Sequence, residues 1–253
     1  MEFIVIIPAR YGSSRLPGKP LKDICGTNMV TRVAKKALAS GASRVIIATD
    51  SELVANGVQL DNVEICMTSA HHSSGTERLA EVCRLKNIAD DAIIVNVQGD
   101  EPLIPPKLIN QVADDLNKSN APMATLCVPT VTYEELFNPN SVKVITNKHG
   151  NALYFSRSSM PYDRDNFKKL PMLSGNIYYR HLGIYAYRAR FLQEFISWSP
   201  SSLENTEKLE QLRVLDNGKN IHVSVATTLP PPGVDTAEDL QNVINYVLKN
   251  PNA

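Results

Sequence analysis

Short apolar runs rich in Val and Ile recur along this chain, each followed by an amphipathic stretch. That alternation limits the available folds more than any other feature. EFIVII, RVIIAT, VEICMT and AIIVNV have the continuous β-branched character of buried strands. Between them, Leu79, Val82 and Cys83 fall at helical spacing, as do Leu108, Ile109, Val112, Ala113 and Leu116. The last helix is the clearest. Leu240, Val243, Ile244, Val247 and Leu248 form one stripe, and Thr236 with Asp239 reads as a capping box. Strand–helix alternation predicts an α/β fold with a mainly parallel central sheet and helices on both faces.

The middle of the chain changes character. VKVIT, NKHG and NALYFS read as a hairpin with a glycine-containing turn. In HLGIYAY, Leu182, Ile184 and Ala186 share one face and Tyr185 and Tyr187 the other. ENTEKLEQLRVLDNG reads as one helix closed by Gly218, and PPPG at 230–233 as a stiff loop. The expectation is a single α/β domain over residues 1–253 with an antiparallel excursion at about 140–190.

Composition excludes several function classes. The 26 basic and 26 acidic side chains cancel, which argues against nucleic acid or a membrane surface as partner. No apolar run approaches the roughly 20 residues of a spanning helix. The N-terminus lacks a basic leader, so it reads as a first core strand and not a signal peptide. The four cysteines are far apart and none sits in CxxC spacing, which fits reduced, mostly buried thiols in a cytoplasmic protein better than a disulfide framework or a zinc site.

The neutral total hides segregation. PARYGSSRLPGKPLK, residues 8–22, carries Arg10, Arg15, Lys19 and Lys22 and no acid, directly after the first strand. In open α/β sheets ligands sit beyond the carboxyl ends of strands. A basic, glycine-containing loop there suits a polyphosphate, the alternative being a solvated surface loop. It is not a Walker A loop: five residues separate Gly12 from Gly18, and Pro20 stands where a magnesium-binding hydroxyl is needed. Asp100, in QGDEP, and Asp235, after PPPGV, are acidic tips suited to a magnesium ion that also takes phosphate and water oxygens. Asp50 reads as a helix cap. Residues 155–190 hold Arg157, Arg164, Lys168, Lys169, Arg180, Arg188 and Arg190 against Asp163 and Asp165, which suits either an anionic small substrate or a surface patch. His71 and His72 lack matching metal ligands and read as exposed loop histidines.

IPARYGSSRLPGKPL, SGTERLAEV, VNVQGDEPLI, ALYFSRSSMPYDRD, HLGIYAYR, TEKLEQLRVLDNG and GVDTAEDL occur in an order that resembles the 3-deoxy-manno-octulosonate cytidylyltransferase family, across nearly the whole chain. The resemblance implies a nucleotide-diphospho-sugar transferase fold. It implies transfer of CMP from CTP to the sugar acid 3-deoxy-manno-octulosonate (Kdo) with release of pyrophosphate, serving lipopolysaccharide or capsule synthesis. It further implies a cytoplasmic, Mg2+-dependent homodimer, with the antiparallel excursion contributing to sugar binding and to the dimer. Carried over residue by residue, Arg10, Arg15 and Lys19 resemble phosphate binders, Ala9 lies near the nucleotide, and Ser74 and Gly75 belong to the cytosine pocket. Gln98 falls between nucleotide and sugar, and Asp100 and Asp235 match magnesium ligands. Arg157, His181, Tyr185, Glu210 and Gln211 resemble Kdo contacts. Arg10, Lys19, Asp100 and Asp235 are the expected catalytic set. The stretch around 165–180 departs most from the family pattern. Three alternatives stand beside this one: the same chemistry on a modified Kdo such as the 8-amino sugar or on another ulosonic acid, a P-loop-like NTPase, and a silent nucleotide-binding module.

Overall fold

The computed structural model describes residues 1–13, 15–72, 74–165, 173 and 177–250. Ser14 of the first basic stretch, Lys168 and Lys169 of the second, and much of 165–180 lie outside the described residues. The chain runs through β1 (Ile4–Pro8), β2 (Asp23–Ile24), β3 (Thr27–Asn28), α1 (Met29–Ala39), β4 (Arg44–Thr49), α2 (Glu52–Gly57), β5 (Glu64–Met67), α3 (Gly75–Leu85), β6 (Ile93–Asn96), α4 (Pro106–Lys118) and β7 (Met123–Pro129). It continues with α5 (Tyr133–Phe137), β8 (Lys143–Thr146), β9 (Ala152–Ser156), β10 (Tyr179–Arg188), α6 (Ala189–Ile196), α7 (Ser202–Glu207), α8 (Leu212–Asp216), β11 (Ile221–Val225) and α9 (Ala237–Lys249).

The main sheet has the order β11-β7-β10-β6-β1-β4-β5, with the hairpin β8–β9 joined to β10. β6, β1, β4 and β5 pair in parallel, as do β7 and β11. β10 runs backwards between β6 and β7. The mainly parallel sheet and its antiparallel elaboration are therefore both present.

Alternate residues of β1 supply two cores. Val5 and Ile7 face α1 and α4, through Val30, Val33, Leu108 and Val112, whereas Ile4 and Ile6 face α3 and α6, through Leu79, Val82, Phe191 and Phe195. All of these are buried, and each such side chain contributes about 1.5–3 kcal/mol relative to exposure. A third cluster joins Leu16, Ile24 and Met29 to Val234, Val243 and Val247 of the C-terminal segment. The Thr236–Asp239 capping box starts α9 as the sequence predicts. Among the described residues, no helix is long and apolar enough to cross a membrane. The four cysteines are unpaired, and burial pushes the thiols of Cys83 and Cys127 up to about 12, which keeps them protonated.

Four sequence expectations are corrected. The single helix expected from ENTEKLEQLRVLDNG is two short helices, broken at Lys208, which adopts φ +53°. The break lets Leu209 turn inward and folds Arg213 of α8 back onto Glu204 of α7 at 2.6 Å, with its guanidinium 4.5 Å above the Phe195 ring. β5 is an edge strand in which Cys66 alone is buried. In α9, Leu240, Val243, Ile244 and Val247 pack inward while Leu248 is exposed. Asp50 does not cap α2, since Ser51 occupies that position.

Candidate active site

The carboxyl ends of β1, β4 and β6 open on one edge of the sheet, as the parallel order requires. A cleft of about 520 Å³ there is lined by Ala9, Arg10, Gly12, Ser13, Arg15, Lys19, Ser74, Gly75, Arg78, Gln98, Gly99, Asp100 and Asp235. Nine residues expected from the sequence to serve nucleotide or metal thus converge from four separate segments.

Two backbone constraints set the cleft floor. The Ala9 amide donates to the Ala48 carbonyl at 2.8 Å, and the Thr49 hydroxyl donates to the Ala9 carbonyl at 2.7 Å, so β1 leaves the sheet on a fixed path. Gly99 passes so close to that path that a Cβ would lie 2.8 Å from the Pro8 carbonyl. The basic loop then swings out and returns through Gly18, at φ +67°, into a single 3-10 turn that begins at Lys19.

Lys19 is the electrostatic centre. Its Nζ donates to Asp100 Oδ2 at 2.6 Å, to the Val234 carbonyl at 2.8 Å and to Asp235 Oδ1 at 3.1 Å. Arg15 reaches the same Asp235 oxygen at 3.1 Å, across open solvent. The exposed Arg10 has no ion pair among the described residues. On the other wall, Ser74 caps α3 by accepting from the Glu77 amide at 3.2 Å, which turns the start of an eleven-residue helix toward the cleft. A helix N-terminus favours negative charge and offers free N–H donors.

Sequence reasoning missed Arg78. This guanidinium is only 1% exposed, donates to the Thr68 hydroxyl and to Asp50 Oδ2 at 3.3 Å, and still lines the cleft. Burial lowers its pKa from the usual value, and Asp50 opposes that shift. Asp50 Oδ1 also accepts from the Tyr11 amide at 3.4 Å, so Asp50 ties α3, through Arg78, to the start of the basic loop. His72 was misread as an exposed loop residue. Its Nε2 lies 2.6 Å from Glu81 Oε2, and that carboxylate also accepts from the Ser69 amide, which pins the turn before Ser74.

The residues expected to touch a sugar form a second group that adjoins the cleft without lining it. Because β10 runs backwards, its early residues lie where the parallel strands end, with Tyr185 opposite Asn96 of β6. Phe155, His181, Tyr185 and Tyr187 make a row of rings at centroid separations of 5.0, 5.3 and 5.9 Å. Thr125 Oγ1 contacts His181 Nε2 at 2.9 Å and the Ile184 carbonyl at 2.7 Å. With the hydroxyl proton given to that carbonyl, the imidazole carries its proton on Nε2. Burial, with Arg180 nearby, pushes His181 down to about 3, so it is neutral at physiological pH.

Glu210 accepts from the Thr76 hydroxyl at 2.9 Å, which links this group to the first turn of α3. Burial raises its pKa, and its other oxygen, Oε1, is buried without a hydrogen-bond partner, as is Asn96 Oδ1. Gln211 is buried beside it. Arg157 is the outlier. It is held by the Glu207 carboxylate at its amide, by the Glu207 carbonyl at Nε (2.7 Å) and by the Pro139 carbonyl at 2.9 Å, away from the cleft wall.

An edge of this kind is suited to a polyphosphate with its counter-cation, and the class it defines is that of nucleotide-using α/β transferases. The chain belongs to the 3-deoxy-manno-octulosonate cytidylyltransferase family. A family model described as cytidylyltransferase matches residues 4–221. Proteins named 3-deoxy-manno-octulosonate cytidylyltransferase from Haemophilus influenzae (strain PittEE) and Tolumonas auensis are 60% and 57% identical over 247 residues, covering 96% and 98% of this chain and 97% of each relative. A solved CMP:2-keto-3-deoxy-manno-octonic acid synthetase complexed with CTP superimposes with a TM-score of 0.89 at 41% identity, covering 98% of this chain and 99% of that one. A nucleotidyl transferase from Methanothermobacter shares the fold, with a TM-score of 0.61 at 13% identity and 98% coverage of both chains.

Proposed function

We propose that this protein transfers CMP from CTP to Kdo, forming CMP-Kdo and pyrophosphate for lipopolysaccharide or capsule synthesis, as a cytoplasmic homodimer. The observation that carries the reading is the convergence of Asp100 and Asp235 on one cation, beside Arg10, Arg15 and the α3 N-terminus. The same observation is the fit test for Mg2+. Two carboxylates and a carbonyl from separate loops already hold a positive charge, and the remaining positions of an octahedral ion would fall to phosphates and water. Bound by Asp100 and Asp235, Mg2+ would neutralise phosphate oxygens and lower the pKa of an attacking hydroxyl.

The protein's own part is positioning and charge stabilisation, as in other phosphoryl-type transfers. The start of α3, with Ser74 and Gly75, receives the cytosine, and Ala9 borders the nucleotide on the β1 side. Arg10, Arg15 and Lys19 take the triphosphate and offset the charge that builds on the leaving pyrophosphate. Gln98 lies between nucleotide and sugar. His181, Tyr185, Glu210 and Gln211 contact sugar hydroxyls, with His181 as a neutral donor or acceptor and not as the base. Arg157 takes the Kdo carboxylate once its guanidinium turns from the Glu207 and Pro139 carbonyls toward the sugar. The anomeric hydroxyl, giving its proton to solvent water, then attacks the α-phosphorus in line, its P–O bond forming as the bond to pyrophosphate breaks.

Incubation with CTP, Mg2+ and Kdo, followed by product identification, tests the reading. CMP-Kdo and pyrophosphate in equal amounts are expected. Pyrophosphate release that is faster with the 8-amino sugar would move the substrate assignment, and CTP binding without product would leave a silent module.

A further inference from the structure

The two acids expected to hold a metal share one amine. Lys19 Nζ sits among Asp100 Oδ2, Asp235 Oδ1 and the Val234 carbonyl, at 2.6, 3.1 and 2.8 Å. Three oxygens around one positive charge are the ligand set of a hard cation, supplied here by an ammonium. The side chain of Lys19 is 15% exposed, against 32% for Asp100 and 51% for Asp235, so the amine is the inner member of the cluster.

A second feature keeps the acids together whatever occupies the space between them. The Val234 amide donates to the Asp100 carbonyl at 2.8 Å, stitching the QGDEP turn to the segment before α9. The Asp235 and Thr236 amides both donate to Asp239, which fixes the far side. The two carboxylates on these stitched loops share one counter-charge, the Lys19 ammonium. Lys19 also lines the cleft that would take a triphosphate, beside Arg10 and Gly12. One amine cannot sit among those carboxylate oxygens and neutralise phosphates at the same moment.

We propose that Lys19 is a placeholder cation. In the free protein it occupies the position of the divalent ion and excludes it. When a triphosphate enters, the amine moves to phosphate oxygens and releases Asp100 and Asp235 to the divalent ion that the nucleotide carries. Free divalent cation therefore binds poorly before nucleotide, and the anionic site never stands without a counter-charge. This inference rests on the reading of Asp100 and Asp235 as the metal-holding acids.

The test uses Mn2+ alone as probe, measured on the nucleotide-free protein by electron paramagnetic resonance and calorimetry. Lys19→Met is expected to bind Mn2+ about tenfold more tightly than wild type, because a competing positive charge is gone. Lys19→Gln is expected to follow it and supplies the result should Lys19→Met fail to fold by circular dichroism. Lys19→Arg keeps the charge and should bind as weakly as wild type. Adding Asp100→Asn to Lys19→Met should abolish the gain. Folded Lys19→Met and Lys19→Gln proteins with wild-type Mn2+ affinity overturn the placeholder, while the metal assignment stands if Mn2+–CTP binding by wild type still depends on Asp100. A gain that survives both Asp100→Asn and Asp235→Asn overturns the metal assignment itself, and the placeholder with it.

Discussion

The two halves of the site are built by opposite means. The nucleotide cleft is an assembly of charges on loops: Arg15, Lys19, Asp100 and Asp235 meet across sequence separations of 81 to 220 residues, mostly in solvent. The sugar-side group is an assembly of rings and buried polar atoms on a strand and a helix junction, with His181 neutral and Glu210 held by Thr76. Under the proposed function the cleft would handle a polyanion, for which field strength matters and exact placement is supplied by the ligand, and the second group would sort neutral hydroxyls, for which rigid placement matters and charge does little.

That contrast is open to attack from both sides, beginning with the largest effect. Asp100→Asn should lower kcat roughly 10³-fold, the scale of removing one charge-stabilising group, with the CTP Michaelis constant little changed. Near-wild-type turnover at saturating Mg2+ would end the metal assignment. Arg78→Met should cost about 3 kcal/mol of stability, measured by urea unfolding, because the partly buried Asp50 loses its charge partner and the Thr68 hydroxyl its donor. A stable variant with ordinary CTP affinity would mean that the cleft needs no fixed framework. Arg157→Ala should raise the sugar Michaelis constant by about 10–100-fold, the worth of a charge-assisted hydrogen bond, and spare that for CTP. An unchanged sugar constant removes Arg157 from the carboxylate role.

The most gradual effect concerns acid. His181 falls from an ordinary 6.5 to about 3 on folding, so below pH 6.5 the unfolded chain takes up a proton that the folded one refuses. Stability is unaffected by this group above pH 6.5 and is lost as pH falls, by at most about 1.4 kcal/mol per pH unit. His181→Asn should flatten the urea midpoint between pH 6.5 and 4.5. An unchanged slope would mean that the ring is hydrated in the native state.

The same contrast explains what was legible in the sequence. Lys19, Asp100 and Asp235 stand out because a basic run and acidic strand tips are local signals, and the strand periodicity says where such tips must gather. The Val5/Ile7 and Ile4/Ile6 division between two cores follows from alternation alone. Arg78 and Asp50 did not stand out, because a pair separated by 28 residues exists only after α3 docks beside β4. His72 was misread for the same reason, its partner Glu81 lying on the following helix. The break at Lys208 was hidden because the flanking residues are good helix formers. Burial of Leu209 and the Arg213–Glu204 pair outweigh that propensity. Arg157 was legible as a cation in the right segment, but its actual partners are carbonyls that no sequence pattern announces.

The backward course of β10 has one more consequence. A strand inserted against the grain of its neighbours brings its opening residues, not its closing ones, to the rim where the parallel strands end. In the proposed function the nucleotide half draws on strand exits, whereas the sugar half draws on this strand entry together with the α7–α8 junction, so substitutions at His181 and Tyr185 would act on the sugar while leaving the residues of the triphosphate cleft in place.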